Sequence, residues 1–169
     1  MKDDAEKTQQ EVHELVNWFL ERAVDPDYNG HDKCLVGALS LDSVTISPSD
    51  RNNVSSRWKL HVTPALCNLS GNLHGGAVAL IFDMCTSMTI IPVTREGFWD
   101  TGHVTRSLNC TYLRAAPEGT RLVVECELVS IGKRTALLRG IMKREDDGKI
   151  CFTCDHDRVA IIPTPDVKL

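Results

Sequence analysis

The sequence lacks a basic stripe, an unbroken apolar run of membrane length and an apolar leader. Its net charge is −4 over 169 residues, without a concentration of Lys and Arg, so a nucleic acid or an anionic membrane has no electrostatic support as a partner. The longest apolar stretch, Gly75 to Pro92, is too short and too interrupted for a membrane span, so we expect a core helix. The polar start MKDDAEKTQQ is unlike a signal segment and predicts a cytoplasmic location, with the mitochondrion as the alternative.

Cysteine is plentiful, but its spacing favours no disulfide framework, because such frameworks are typical of short secreted chains. Cys151 and Cys154 form a C-x-x-C, yet the residues around them predict a strand instead of the turn that precedes a redox helix. No second pair stands at zinc spacing. We therefore expect reduced thiols, no metal and no cofactor.

Hydrophobic periodicity predicts an amphipathic helix over Glu6 to Ala23 and a hairpin of strands over Leu35 to Ile46 and Ser56 to Pro64. Four further strands are expected as a meander, over Gly102 to Arg114, Thr120 to Gly132, Arg134 to Arg144 and Lys149 to Ile162. Gly75 to Pro92 is apolar nearly all round, so it must be wrapped. A curved antiparallel sheet of five or six strands could wrap it, which makes the predicted class α+β.

Asp83 is the only charged side chain between Gly75 and Ile91. An isolated carboxylate in an apolar setting is costly unless it is paired or hydrogen-bonded, so Asp83 is either exposed or functional. If it faces an apolar cleft, Asp83→Asn should leave stability unchanged or raise it. Asp83 follows the segment NLSGNLHGG, residues 68–76, which predicts a polar turn that enters the helix.

This segment and the order of elements resemble the hot dog fold thioesterases, specifically the phenylacetate-type acyl-CoA thioesterase branch. The similarity covers about residues 34–162 and depends on an Asn six residues before His-Gly-Gly and an Asp nine residues after the His. It implies a hot dog fold, with a sheet wrapped around a long central helix and an extra N-terminal helix. It also implies a dimer with a continuous sheet, a dimer of dimers, and hydrolysis of acyl-CoA thioesters.

The resemblance assigns roles residue by residue. The acid falls on Asp83, the oxyanion-hole glycine on Gly75, the histidine on His74 and the asparagine on Asn68. Thr105 stands where the nearest relatives commonly have Ser, so the hydroxyl is kept and a methyl is added. The expected division of the chain is a helical extension (1–33), a hot dog domain (34–163) and a C-terminal tail (164–169).

Physical chemistry supports a site shared between two subunits. The free N–H groups of a helix N-terminus can receive the negative charge of an attacked thioester carbonyl. Asp83 lies eight residues beyond Gly75, about 12 Å along one helix axis. Two antiparallel helices from a dimer could bring Asp83 of one subunit to Gly75 of the other. Asp83 would then act as general base or nucleophile.

Structural alternatives stay open for each residue. Asp83 could cap a neighbouring loop, and the glycines could simply permit a tight turn. His74 suits holding the loop or a ligand carbonyl better than acting as a base, and Asn68 could form an Asx turn. Thr105 would orient Asp83 or water, although Thr is common on strands.

Coenzyme A phosphates call for Lys or Arg at the mouth of the cleft. Lys133 and Arg134 are the first candidates, followed by Arg114 and Arg158, with solvated surface charge as the alternative. Gly76, like Gly75, would let substrate approach the backbone.

Two other classes of function remain open. A hot dog hydratase or dehydratase needs an acid and a His acting together, and no Asp here is followed by His five residues on. A non-catalytic acyl or CoA binder would keep the same motif without turnover.

Overall fold

The computed structural model describes residues 9–22 and 24–161. In these ranges the elements are, in chain order, α1 (Gln9–Arg22), β1 (Leu39–Ser47), β2 (Asp50–His61), α2 (Gly75–Thr89), β3 (His103–Tyr112), β4 (Arg121–Ile131), β5 (Thr135–Arg144) and β6 (Ile150–Ala160). Short 3-10 turns occur at His31–Leu35, Pro64–Leu66 and Ile91–Val93. Both predicted helices and all six predicted strands are present in the described ranges, although their ends differ from the predicted ones.

The described strands form one antiparallel sheet in the order β1-β2-β4-β5-β6-β3. The predicted β1–β2 hairpin is confirmed. A tight turn precedes β6, and its Gly148 has φ 68°. The predicted four-stranded meander is wrong, because β3 pairs with β6 at the sheet edge instead of with β4. The meander assumed that sequential strands are neighbours, whereas the connection after β3 carries the chain across the sheet to β4.

The first hairpin also differs from the prediction. β2 begins at Asp50 instead of Ser56, so residues 50–55, which lie between the two predicted strands, also belong to the strand. Asp50 to Asn53 are all exposed, which shows that this end of the hairpin extends beyond the core. Alternation is absent there because neither face of the strand is buried.

α2 is the central helix and is wrapped by the sheet, as predicted. It contacts β2 through β6, and Val78, Ile81 and Phe82 are fully buried. A Cβ at Gly140 on β5 would lie 2.7 Å from the Phe82 ring. Glycine at this position therefore lets the helix approach the sheet closely.

Gly75–Val93 is long and apolar enough to cross a membrane by length and composition, contrary to our expectation that it is too short. However, 56% of that window is buried inside the protein. Burial in the core explains the apolar composition of the helix.

α1 packs against β1, and its Val12 and Val16 belong to the main hydrophobic core. The predicted helix residues 6–8 and 23 lie outside the described residues, as does the predicted tail 164–169. The boundary that we predicted after residue 33 falls inside the 3-10 turn His31–Leu35, whose Leu35 is buried.

A bulge in β3 sets which side chains face α2. Thr105 pairs with Arg158 and Ser107 with Asp157, so Arg106 is the extra residue. Side chains alternate along a strand, and an inserted residue reverses the phase. The bulge therefore puts Thr105 and Leu108 on the same face of the sheet, beside β6 residues that face the helix.

Candidate functional site

The carboxylate of Asp83 is fixed by side chains from two strands. The Thr105 hydroxyl donates to Asp83 Oδ1 at 2.7 Å, and Arg158 Nη1 donates to the same oxygen at 3.2 Å. The Asp83 side chain is 38% exposed. Within residues 24–161, no donor is assigned to Asp83 Oδ2. One oxygen is thus held while the other is left available to a ligand or water.

Arg158 lies beneath this carboxylate, with its side chain only 7% exposed. Its Nη1 also donates to Ser87 Oγ, and its Nη2 donates to the His103 carbonyl at 3.4 Å. Arg158 was predicted to contact coenzyme A phosphates, but the structure directs its guanidinium at Asp83 instead. The pair keeps both charges compensated in a partly buried site.

His156 is a part of the site that the sequence analysis missed. Its ring is fully buried, with Nε2 3.0 Å from Thr105 Oγ1 and Nδ1 2.6 Å from Thr86 Oγ1. Its Nε2 also lies 3.5 Å from Asp83 Oδ1. The alternation of β6 places Cys154, His156 and Arg158 on one face, but the sequence does not show that this face is the buried one.

Burial controls the charges of this cluster. It lowers the pKa of His156 to about 4, assisted by the positive charge of Arg158 and opposed by Asp83. The pKa of His103 is lowered to about 4 by the same causes. Burial also lowers the pKa of Arg158, and the neighbouring Asp83 opposes this shift. Both histidines are therefore neutral at pH 7, and Asp83 faces a single cation.

The N-terminus of α2 forms the second part of the predicted site. His74 is the N-cap, and its Nδ1 accepts a hydrogen bond from Gly76 N–H at 2.9 Å. His74 thus holds the loop, which agrees with its structural alternative. Among the described residues, no acceptor is assigned to the Gly75 N–H. The Gly75 carbonyl accepts from the Tyr112 hydroxyl at 2.9 Å.

Asn68 stabilises the turn before the helix. Its Oδ1 accepts from the backbone N–H groups of Ser70 and Asn72, at 3.0 and 3.2 Å. This is the Asx-turn role that the sequence left open. The exposed side chain does not contact the Asp83 cluster.

The predicted phosphate-binding residues lie at opposite ends of the sheet. Lys133 and Arg134 are exposed between β4 and β5, and the Arg134 carbonyl accepts from Ala160 N–H beside the Arg158 end of β6. Arg114 is exposed near the start of α2, where its Nη1 donates to the Ile150 carbonyl at 2.6 Å. Both ends of α2 are thus flanked by exposed cations.

Asp83 and Gly75 are not joined within one subunit. Eight residues of helix separate them by about 12 Å. Thr105 and Arg158 contact the Asp83 end of α2, whereas Tyr112 contacts the Gly75 end. One described chain therefore contains two half-sites.

In the described part of the chain, no group of three or more His, Cys, Asp or Glu side chains is arranged so that it could hold a metal ion. All seven cysteines fall in the described ranges and are free thiols. Cys151 and Cys154 lie on β6, the strand that the sequence predicts.

Comparison with known proteins identifies the family of residues 70–151. Residues 70–151 match the model of the thioesterase superfamily. No curated protein matches the chain.

Solved thioesterase structures share the fold. Zebra fish thioesterase superfamily member 2 is 21% identical with a TM-score of 0.73, over 91% of this chain and 99% of that one. The E. coli PaaI protein from the phenylacetic acid degradation operon is 15% identical with a TM-score of 0.64, over 90% and 98%. A hypothetical thioesterase of Streptococcus pneumoniae, solved with coenzyme A, is 20% identical with a TM-score of 0.57, over 65% and 84%.

The structural matches confirm the predicted fold. The match of residues 70–151 to the thioesterase superfamily confirms the resemblance and the enzyme class, a thioester hydrolase, that the sequence predicts. Residues 70–151 therefore belong to the thioesterase superfamily, within a chain that has the hot dog fold.

Proposed function

We propose that this protein is an acyl-CoA thioesterase whose active site combines Asp83 of one subunit with the Gly75 N–H of another. The observation that carries the proposal is the asymmetric environment of Asp83. Thr105 and Arg158 both hold Oδ1, which leaves Oδ2 to take a proton from water or to attack the thioester directly. A carboxylate that only capped a loop would not need this second, free oxygen at the surface.

In the general-base route, water attacks the thioester carbonyl carbon while Asp83 Oδ2 accepts the water proton. The carbonyl oxygen becomes an oxyanion, which the Gly75 N–H at the positive end of the helix stabilises. The C–S bond then breaks, and the proton is returned to the departing coenzyme A thiolate. The products are the free acid and the coenzyme A thiol.

Thr105 and His156 keep Asp83 in place during this cycle. An ionised Asp83 only accepts hydrogen bonds, so Thr105 donates its single hydrogen to Oδ1. His156 Nε2 lies 3.0 Å from the Thr105 hydroxyl, and its Nδ1 lies 2.6 Å from the Thr86 hydroxyl, which itself donates to the Phe82 carbonyl at 2.6 Å. We assign His156 this positioning role, since both ring nitrogens are engaged and the ring has no access to substrate.

A dimer formed through β3 would unite the half-sites. β3 is an edge strand of the described sheet, and Val104, Tyr112 and Leu113 on or beside it are each 53% exposed. Edge strands with unpaired backbone groups favour pairing with another strand. Antiparallel pairing of two β3 strands would extend the sheet across the dimer, and a dimer of dimers remains the predicted assembly.

The phosphates of coenzyme A would bind to the exposed cations at the ends of the helix. Arg114 lies near the Gly75 end, and Lys133 and Arg134 lie near the Asp83 end. In an antiparallel dimer, the Gly75 end of one helix meets the Asp83 end of the other, so these side chains would converge.

A hydratase has one supporting observation, the proximity of His156 to Asp83. However, a hydratase histidine must exchange protons with substrate, whereas this ring is fully buried. The thioesterase proposal accounts for the same contact as positioning.

The test is thiol release from a panel of saturated acyl-CoAs, with an enoyl-CoA added to detect hydration. We expect hydrolysis by the wild type and a loss of about two to four orders of magnitude in Asp83→Asn. Asp155→Asn, which removes an exposed carboxylate paired with Arg139, is the matched control and should retain activity. Tight acyl-CoA binding without turnover would favour the binding protein, and water addition to the enoyl-CoA would favour the hydratase.

A further inference from the structure

A cavity of about 450 Å³ opens beside the start of α2. His74, Gly76, Ala77 and Leu80 form one wall of it, and the two 3-10 turns before α2 form the other. Tyr112 is not among its walls, although it contacts the adjoining Gly75. Gly75 therefore faces the open edge of β3, whereas Gly76 faces the cavity.

The walls of this cavity are suited to an apolar ligand. Leu66, Ala77 and Leu80 belong to or pack against the hydrophobic core. None of the described residues that line the cavity is Lys, Arg, Asp or Glu. The volume lies within the range of ordinary small-molecule pockets, about 300–1,000 Å³. A phosphate would find no charged partner here, whereas a hydrocarbon chain would find apolar contacts.

One wall comes from a segment outside the residues that match the superfamily. His31 and Cys34 line the cavity from the 3-10 turn His31–Leu35. Leu35 anchors this turn in the core, and Lys33 Nζ donates to the Tyr28 carbonyl at 2.7 Å. The Tyr28 hydroxyl donates to Asp32 at 2.5 Å. The turn is thus a fixed part of the cavity.

We infer that this cavity binds the acyl chain of the thioester and that the turn His31–Leu35 limits the length of that chain. The inference rests on the proposed function, which places the thioester carbonyl at the Gly75 N–H. From that point the charged coenzyme A extends along the open surface that carries Arg114. The uncharged chain extends past Gly76 into the apolar cavity.

Chain-length selectivity tests the inference. Cys34→Trp fills the cavity, so we expect kcat/KM for dodecanoyl-CoA to fall at least tenfold while that for acetyl-CoA changes less than twofold. Cys34→Ala removes bulk without adding a clash and should shift the optimum toward longer chains. Val129→Trp places the same ring on an exposed position of β4 and is the matched control. Equal changes at every chain length in the Cys34 variants would overturn the inference.

Thiol protection tests the cavity without turnover. The wild-type protein is labelled with a maleimide in the presence of S-dodecyl-coenzyme A, a thioether that cannot be hydrolysed, or of coenzyme A alone. Cys34 and Cys67 both line the cavity, so the thioether should slow their labelling severalfold more than coenzyme A does. Cys110 on β3 is partly exposed and lies outside the cavity, so the two probes should affect it equally.

The two tests separate failure of the inference from failure of the proposed function. Protection of Cys34 by the thioether, in a protein that hydrolyses no thioester, would retain the acyl cavity and refute the thioesterase. Hydrolysis without differential protection would retain the thioesterase and refute the assignment of the cavity.

Discussion

Replacing Asp83 with Asn should destabilise the protein as well as inactivate it. The sequence predicted unchanged or higher stability for this variant, because an ionised carboxylate in an apolar cleft destabilises the folded state. In the structure, however, Asp83 is the ion-pair partner of Arg158, whose side chain is 7% exposed. Asn keeps an oxygen that Thr105 can bind, but it leaves the buried guanidinium without a counter-charge.

The magnitude follows from the exposure of the two partners. Exposed ion pairs contribute about 0–1 kcal/mol, and breaking a fully buried pair costs about 3–5 kcal/mol. With Arg158 buried and Asp83 38% exposed, we expect an intermediate loss, about 1–3 kcal/mol in the free energy of unfolding. At a urea m-value of about 2 kcal/mol/M, the midpoint should fall by about 0.5–1.5 M.

Urea unfolding at one protein concentration measures this loss, because an oligomer's stability depends on concentration. Asp155→Asn breaks an ion pair with Arg139 in which both side chains are about half exposed, at 55% and 49%, and serves as the control. It should cost less than about 1 kcal/mol. In Arg158→Met, the further change Asp83→Asn should cost less than it does in the wild type. An unchanged or raised midpoint in the single Asp83→Asn variant would refute the argument.

Two further outcomes follow from packing and protonation. Gly140→Ala should lower stability by about 1–3 kcal/mol, because its Cβ would lie 2.7 Å from the Phe82 ring, whereas Gly132→Ala, whose nearest contact is 3.7 Å, should be nearly neutral in thermal melts. Stability should also fall with decreasing pH between about 6.5 and 4, because His156 is neutral in the fold down to a pKa of about 4 but takes up a proton when unfolded. At pH 5 the contribution of His156 amounts to about 2 kcal/mol. His103, whose pKa is also lowered to about 4, contributes in the same direction, so His156→Gln should make the pH dependence shallower without removing it. Equal slopes in both proteins would contradict the assignment.

The sequence predicted the features of the site that depend only on neighbouring residues along the chain, namely Asp83 and the turn that enters the helix. Asp83 is conspicuous because no other charge stands between Gly75 and Ile91. The start of the helix could also be predicted, since a polar turn with two glycines precedes a long apolar run. Local chemistry of this kind depends on neighbours along the chain.

The environment of Asp83 could not be predicted in the same way. β6 carries Asp155 and Asp157 on one face and His156 and Arg158 on the other. With charged or titratable residues on both faces, alternation does not show which pair is buried. The pairing of β3 with β6, which brings Thr105 to this cluster, joins segments that β4 and β5 separate along the chain.

The bulge in β3 could not be predicted from the sequence either. Strict alternation would put Thr105 and Leu108 on opposite faces, so sequence alone could not place both against the helix. The extra residue at Arg106 reverses the phase between them. Long-range pairing and one inserted residue thus determine which side chains reach Asp83.

A site shared between subunits can be tested by removing one half from each of two chains. Gly75→Pro deletes the proposed oxyanion donor, and Pro is well tolerated at the first position of a helix. The preceding His74 already has φ −66° and ψ 136°, the extended conformation that a residue before Pro prefers. Gly75→Ala keeps the N–H, with its Cβ 3.5 Å from Tyr112, and is the control.

The most direct measurement is acyl-CoA hydrolysis by subunits mixed from two inactive parents, Asp83→Asn and Gly75→Pro. Random pairing makes half of the dimers mixed, and each mixed dimer regains one of its two sites by symmetry. We predict about a quarter of wild-type activity after exchange at equal concentrations. Activity no higher than that of the parents, in dimers whose exchange is verified by mass, would contradict the shared site.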